Sequence, residues 1–283
     1  MIRIFLALAV LASVALALDP DAGPSAEIAG QINDEPAAII TLTSLNSYVI
    51  TAGSARCCDY ADTTDELFVS DYGTDQIYSL APSTGALNYA IDCPTEIPNV
   101  CGVVFWWDTG GHLLINDWNS VHDMYEYTGS WAYACACPVP SEPRGMDIDY
   151  DGYIWGQDAN TRILYRFDDA GVVQTSFPIA EVPASFSCGV ACFPYGSNLG
   201  IALTGYAWPD VYFYEFDGAA LSYLGSAPVP QTCTSSYGLT YSDNTSTFFW
   251  VYRTGTPYNV CEFSATIEVA LQRETWATIK ASF

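Results

Sequence analysis

A glycine that opens an apolar strand recurs along this chain at nearly fixed intervals, and no other feature limits the fold as much. Cys101-Gly102-Val103, Arg144-Gly145-Met146, Cys188-Gly189-Val190 and Tyr237-Gly238-Leu239 each begin such a strand, with the glycines 43, 44 and 49 residues apart. Arg56-Cys57-Cys58-Asp59-Tyr60 holds the same place one interval earlier, without the glycine. Each start leads into second and third strands, and four of the five into a fourth. All are short runs rich in Tyr, Phe, Trp, Val, Ile and Thr, bounded by Gly, Pro, Asn and Asp. Five repeats of four antiparallel strands, about 45 residues apart, are the sequence form of an all-β propeller. Five blades are expected. Ala37–Leu42 and Tyr48–Thr51 read as two further strands that complete the fifth blade and remove its free edge. A sixth blade assembled from both termini is the alternative.

The propeller accounts for residues 37–271. Residues 1–17 read as a secretory signal peptide: Arg3, an apolar run from Ile4 to Ala17, and the small-residue exit Ala15-Leu16-Ala17. Residues 18–36 form an acidic leader with several Pro and Gly. In the tail, 272–283, Trp276, Ile279 and Phe283 share a helical face. A secreted chain, extracellular or periplasmic, is the expectation, and no later stretch is long and apolar enough to span a bilayer. Ten cysteines behind such a leader point to structural disulfides. Cys93 and Cys101, closing a short link with two prolines, are the expected pair.

Charge narrows the partners. With 32 Asp and Glu against 8 Lys and Arg, the formal net charge is −24. Nucleic acid is excluded, because binding phosphates requires clustered cations, and anionic membranes are disfavoured for the same reason. Carbohydrate, peptide and protein partners remain.

The third repeat is the best formed. Pro143, Gly145, Asp149, Asp151, Gly152, Ile154, Trp155, Asp158, Arg162, Ile163 and Phe167 give it a pattern that resembles the NHL-type blade. The resemblance implies a fold of the NHL, gluconolactonase and regucalcin kind, whose members divide between binding scaffolds and metal-dependent enzymes. It implies for the lactonases a metal held by Glu, Asn and Asp around the channel. Ser236-Tyr237-Gly238-Leu239 is similar to their metal-binding motif, but Tyr237 stands where the Asn ligand would be. Only His112 and His122 are available for zinc, at opposite ends of their sheet.

Asp147, Asp149, Asp151 and Asp158 also match ligand positions of a calcium loop. The same residues are what a tight Asp-Gly hairpin requires, and strand geometry spreads these carboxylates along two strands. The turn is the first reading and calcium the second; no other cofactor is expected.

In a four-stranded meander the loops between second and third strands share a face with the links between blades. That face carries Asp71, Tyr72, Asp117, Trp118, Asn119, Asp158, Asn160, Tyr206, Trp208 and Arg253. Aromatic platforms beside Asp and Asn suit sugars or small cations. The competing reading has each Asp capping its own loop and the rings covering blade edges. The function expected is a secreted, non-catalytic propeller that binds a carbohydrate, peptide or protein through this face. The alternative is a metal-dependent hydrolase, lactonase or lyase with carboxylates around the channel.

Overall fold

Consecutive apolar pairs such as Val103-Val104 and Phe248-Phe249 place side chains on both faces of a strand, so both faces of the sheet need cover. The computed structural model describes residues 38–106, 111–117, 120–127, 130–139, 142–158, 160–184 and 186–268, and in it that cover comes from a ring. After an N-terminal strand β1 (Ile39–Ile50), the first blade is β2 (Ala55–Ala61), β3 (Glu66–Asp71), β4 (Gln76–Leu80) and β5 (Leu87–Asp92). The second is β6 (Gly102–Trp106), β7 (His112–Asn116), β8 (Ser120–Tyr127) and β9 (Ser130–Pro138). The third is β10 (Pro143–Ile148), β11 (Ile154–Asp158), β12 (Ile163–Phe167) and β13 (Val173–Pro178). The fourth is β14 (Ser187–Tyr195), β15 (Asn198–Gly205), β16 (Asp210–Phe216) and β17 (Leu221–Pro228). The fifth takes β18 (Ser235–Ser242), β19 (Thr247–Arg253) and β20 (Tyr258–Glu268) from the C-terminal side and β1 as its outermost strand. The innermost strands β2, β6, β10, β14 and β18 neighbour one another in that order, and β18 returns to β2. The protein is a five-bladed β-propeller.

The closing strand corrects one expectation. The two strands foreseen near the N-terminus are a single strand, paired with β20 from Ile39 opposite Glu268 to Ile50 opposite Tyr258. The apparent break is a bulge at Leu45, between Ser44 and Asn46. The same extra residue occurs on every outermost strand: Asn88, Ala134, Gln174 and Leu224 are skipped in the pairings of β5, β9, β13 and β17. Bulges of this kind increase local twist and make an edge a poor template for further pairing. By this mark β1 is a true fourth strand.

The core is five apolar layers, one between each pair of neighbouring blades. Val103 packs towards the first blade with Phe68 and Ile77, while its neighbour Val104 packs towards the third with Met146 and Phe167. Trp155 and Tyr214 fill the layer between blades three and four, and Phe213, Phe248 and Trp250 the next. Val69 and Phe249 close the ring between blades five and one. Burying such side chains contributes roughly 1.5–3 kcal/mol each.

The recurrent glycine follows from how closely the innermost strands approach. A Cβ on Gly145 would lie 2.4 Å from the carbonyl oxygen of Cys188 in the next blade. One on Gly238 would lie 2.4 Å from the backbone nitrogen of Cys58. Both obstacles are backbone, which cannot swing aside.

Candidate functional site

Four of the five innermost strands, all but β6, carry a second set of bulges. Ala55 pairs with Asp71 but Cys58 with Val69; Pro143 pairs with Asp158 but Gly145 with Gln157. Ser187 pairs with Gly205 but Gly189 with Thr204, and Ser236 with Tyr252 but Leu239 with Trp250. The residues left over are Arg56 with Cys57, Arg144, Cys188, and Tyr237 with Gly238. An extra residue breaks the alternation of faces and re-aims its side chain. Arg56, Arg144, Cys188 and Tyr237 accordingly line one pocket at the mouth of the ring, with a volume of about 480 Å³.

The loops complete it. Gly53 and Ser54 precede β2, Phe186 precedes β14, Tyr72 and Tyr206 follow β3 and β15, and Arg253 and Tyr258 flank the turn from β19 to β20. Arg253 occupies the strand end that is Asp71 in the first blade and Asp158 in the third, so the charge there is inverted. Its carbonyl is held by the backbone N–H and hydroxyl of Thr234.

Electrostatically the pocket is the reverse of the chain. It holds three arginines of a protein that has 8 Lys and Arg in all, and among the described residues its lining contains no carboxylate and no histidine. The guanidiniums lie against aromatic rings: Arg56 over Tyr72 and Tyr237 (5.1 and 5.4 Å), Arg144 over Phe186 (4.3 Å), Arg253 over Tyr258 (5.4 Å). Contacts of this kind orient a cation and leave its charge in place. Arg253 Nε is buried and has no hydrogen-bond partner among the described residues. The Cys188 thiol at the floor is pushed up to about 11 by burial, although Arg144 and Arg56 pull it down. It is therefore a neutral thiol at physiological pH. Burial also raises the Tyr237 phenol.

Of the residues singled out from the sequence, Tyr72, Tyr206 and Arg253 come together here. Asp71 stands behind the wall: fully buried, it accepts hydrogen bonds from the N–H groups of Gly53 (2.6 Å), Ser54 (3.2 Å) and Gly73 (2.8 Å). Asp117 caps its loop through Ser120 N–H, and Asp158 does so through Asn160 and Thr161 N–H. Asn160 lies outside the pocket, donating to Glu142. Trp208 is no platform; at 1 % exposure it packs edge-on against Tyr212, over Gly205, where a Cβ would fall 2.2 Å from the indole. Trp118 and Asn119 lie outside the described residues, as do residues 1–37 and 269–283. Arg56, Arg144, Cys188, Tyr237 and Phe186 were missed. The available signal was that Arg56, Arg144, Cys188 and Tyr237 hold one repeat position, beside the aligned glycine, in a chain nearly devoid of cations.

The calcium reading finds no assembled ligand set. Asp147 accepts from the N–H groups of Ile148 and, in the next blade, Cys192. Asp149 accepts from the N–H groups of Asp151 and Tyr153, from the Trp155 indole, and from Arg166 at 2.8 Å. Asp151 pairs with Arg166 at 3.1 Å. Asp158 sits at the far end of β11, four residues along the strand from the hairpin. Among the described residues no group of three or more His, Cys, Asp or Glu is arranged to hold a metal. The expected Cys93–Cys101 bridge is also not formed: Cys93 has a free thiol, and the Cys101 thiol turns to the Asn99 carbonyl at 3.4 Å.

At the other end of the innermost strands lies an acidic cavity of about 250 Å³ that includes Asp59, Asp147, Tyr60 and Tyr150. Asp59 accepts from Phe105 N–H in the second blade and the Thr240 hydroxyl in the fifth, at 2.5 and 2.9 Å. Burial raises the Asp59 carboxyl from 3.8 to about 7; burial and then the charge of Asp59 raise Asp147 as well.

No protein-family model and no curated protein sequence matches the chain. Solved structures do. A glutaminyl cyclase from Myxococcus xanthus superposes with a TM-score of 0.57 at 10% identity, over 80% of this chain and 97% of that one. A virginiamycin B lyase from Staphylococcus aureus gives 0.46 at 14% identity, over 81% and 74%. A Thermus thermophilus oxidoreductase (glucose dehydrogenase) gives 0.48 at 9% identity, over 79% and 100%. At 10% identity the first of these likenesses speaks to the propeller fold alone.

Proposed function

We propose that this protein is a secreted, non-catalytic recognition propeller that takes an anionic ligand at the arginine-lined mouth of the ring. One observation carries the reading: three stacked guanidiniums converge on a pocket without a single carboxylate in its described lining, in a chain of net charge −24. Gathering cations in this way has an energetic cost that a bound anion offsets, since an Arg fork pairs with a carboxylate or phosphate through charge-assisted hydrogen bonds. The non-catalytic part is supported by the chemistry of the lining. Its one thiol, Cys188, and the Tyr237 phenol are held in the neutral form by burial.

Calorimetric titration with citrate, sulfate and phosphate, set against neutral sugars, tests this. Arg56→Ala and Arg253→Ala are each expected to weaken anion binding about tenfold, while leaving the melting temperature within a few degrees. Anion binding indifferent to both substitutions would place recognition elsewhere on the molecule.

A further inference from the structure

We infer that the ligand is an acidic sugar, bound by a terminal ring that carries a carboxylate. This rests on the anion-recognition reading above and narrows it. The planar guanidinium matches a carboxylate in two parallel hydrogen bonds. Phosphate sites are more often built from convergent backbone N–H groups, and here those of Gly53 and Ser54 are already given to Asp71. The anion is therefore read by side-chain forks, with Arg253 Nε, a buried donor lacking a partner among the described residues, one of them.

The rest of the lining selects what carries the charge. Among the described residues not one side chain in it is aliphatic, which speaks against a fatty acid or other apolar carboxylate. Four tyrosines line the pocket, Tyr72, Tyr206, Tyr237 and Tyr258; Tyr237 and Tyr258 are buried, and Tyr206 is the most open, with a ring face and a hydroxyl to offer. A pyranose has the complementary pair, a C–H face that stacks on an aromatic and hydroxyls that hydrogen-bond at its edge. Tyr206, 40 % exposed, presents its ring at the rim. The volume of about 480 Å³ lies within the usual range for small-ligand clefts. The strongly acidic chain disfavours a long polyanion lying across it, so a chain end with its charge inside the mouth fits better than a mid-chain segment.

The full-length protein is titrated with D-galacturonate and D-glucuronate, with D-galactose and D-glucose, and with acetate and inorganic phosphate. A uronate is expected to bind about tenfold or more tighter than acetate or its neutral counterpart. Arg253→Gln weakens uronate and acetate alike, whereas Tyr206→Ala weakens uronate severalfold and leaves acetate unchanged. Thermal melts verify that both variants fold; Arg56→Gln replaces Arg253→Gln if the latter does not. Acetate or phosphate binding as tightly as the uronates, and depending on Arg253, would overturn the acidic sugar and leave the anion site standing. Neutral sugars binding as well as uronates, unaffected by Arg253→Gln, or no binding of any anion, would overturn both.

Discussion

Asp59 shows how far one side chain can serve the whole ring. Its two oxygens join three blades, through Phe105 and Thr240, and Asp147 joins a third to a fourth through Cys192. Both carboxyls are buried near one another, with Asp62 adding to the field on Asp59 and Asp149 to that on Asp147, so they titrate as a pair. The folded-state value of Asp59, raised from 3.8 to about 7, exceeds that of the unfolded chain. The folded form binds more protons between those limits, so this stabilisation is complete below about pH 4 and is lost as pH rises through 7. Melting temperature is expected to fall between about pH 4 and 7, and Asp59→Asn, which keeps an acceptor for Phe105 N–H and gains a donor for Thr240, should flatten that slope. An unchanged slope in the variant would assign the dependence to other carboxylates. At this scale the sequence was least readable. Arg56 and Arg144 could be seen in one repeat position, but alternation assigns a side chain to a face by parity, and a bulge shifts the parity where it matters. Trp208 misled for a related reason: a loop position suggests exposure, while the bare Cα of Gly205 gives the indole a place to lie.

Strands and blades were far more legible, because two-sided burial leaves apolar residues at consecutive positions and the glycine marks each innermost strand. The glycine has a backbone reason, so its replacement has a foreseeable effect. Gly145→Ala pushes a methyl group into the carbonyl of Cys188 and should cost about 1–3 kcal/mol, read as a lower denaturant midpoint. A midpoint unchanged by Gly145→Ala would mean that the contact between β10 and β14 yields easily. The bulges could not be foreseen, since they depend on how a strand registers with its partner, and that is set by pairings across the whole sheet. They act in opposite directions at the two sides of a blade. At the innermost strands they turn Arg56 and Arg144 into the mouth; at the outermost they twist the edges away from further pairing.

The two cavities at the ends of the innermost strands are opposite in charge, guanidiniums lining one and carboxylates the other. The molecule as a whole is held shut without a covalent link among the described cysteines, whose thiols are free or turned to backbone and neighbouring groups. The closure is the pairing of β1 with β20, between segments about two hundred residues apart in sequence. A chain that begins at Ala52 should melt markedly lower, and a synthetic peptide spanning Ile39–Ile50 should restore part of the loss; no rescue by the peptide would show that β1 does more than seal an edge. Contacts this distant in sequence form late, so a newly made molecule must keep its first strand waiting until its last has emerged. During that interval the vacant slot beside β20 accepts an Ile39–Ile50 segment from any copy, and concentration decides whether the ring closes on itself or on a neighbour.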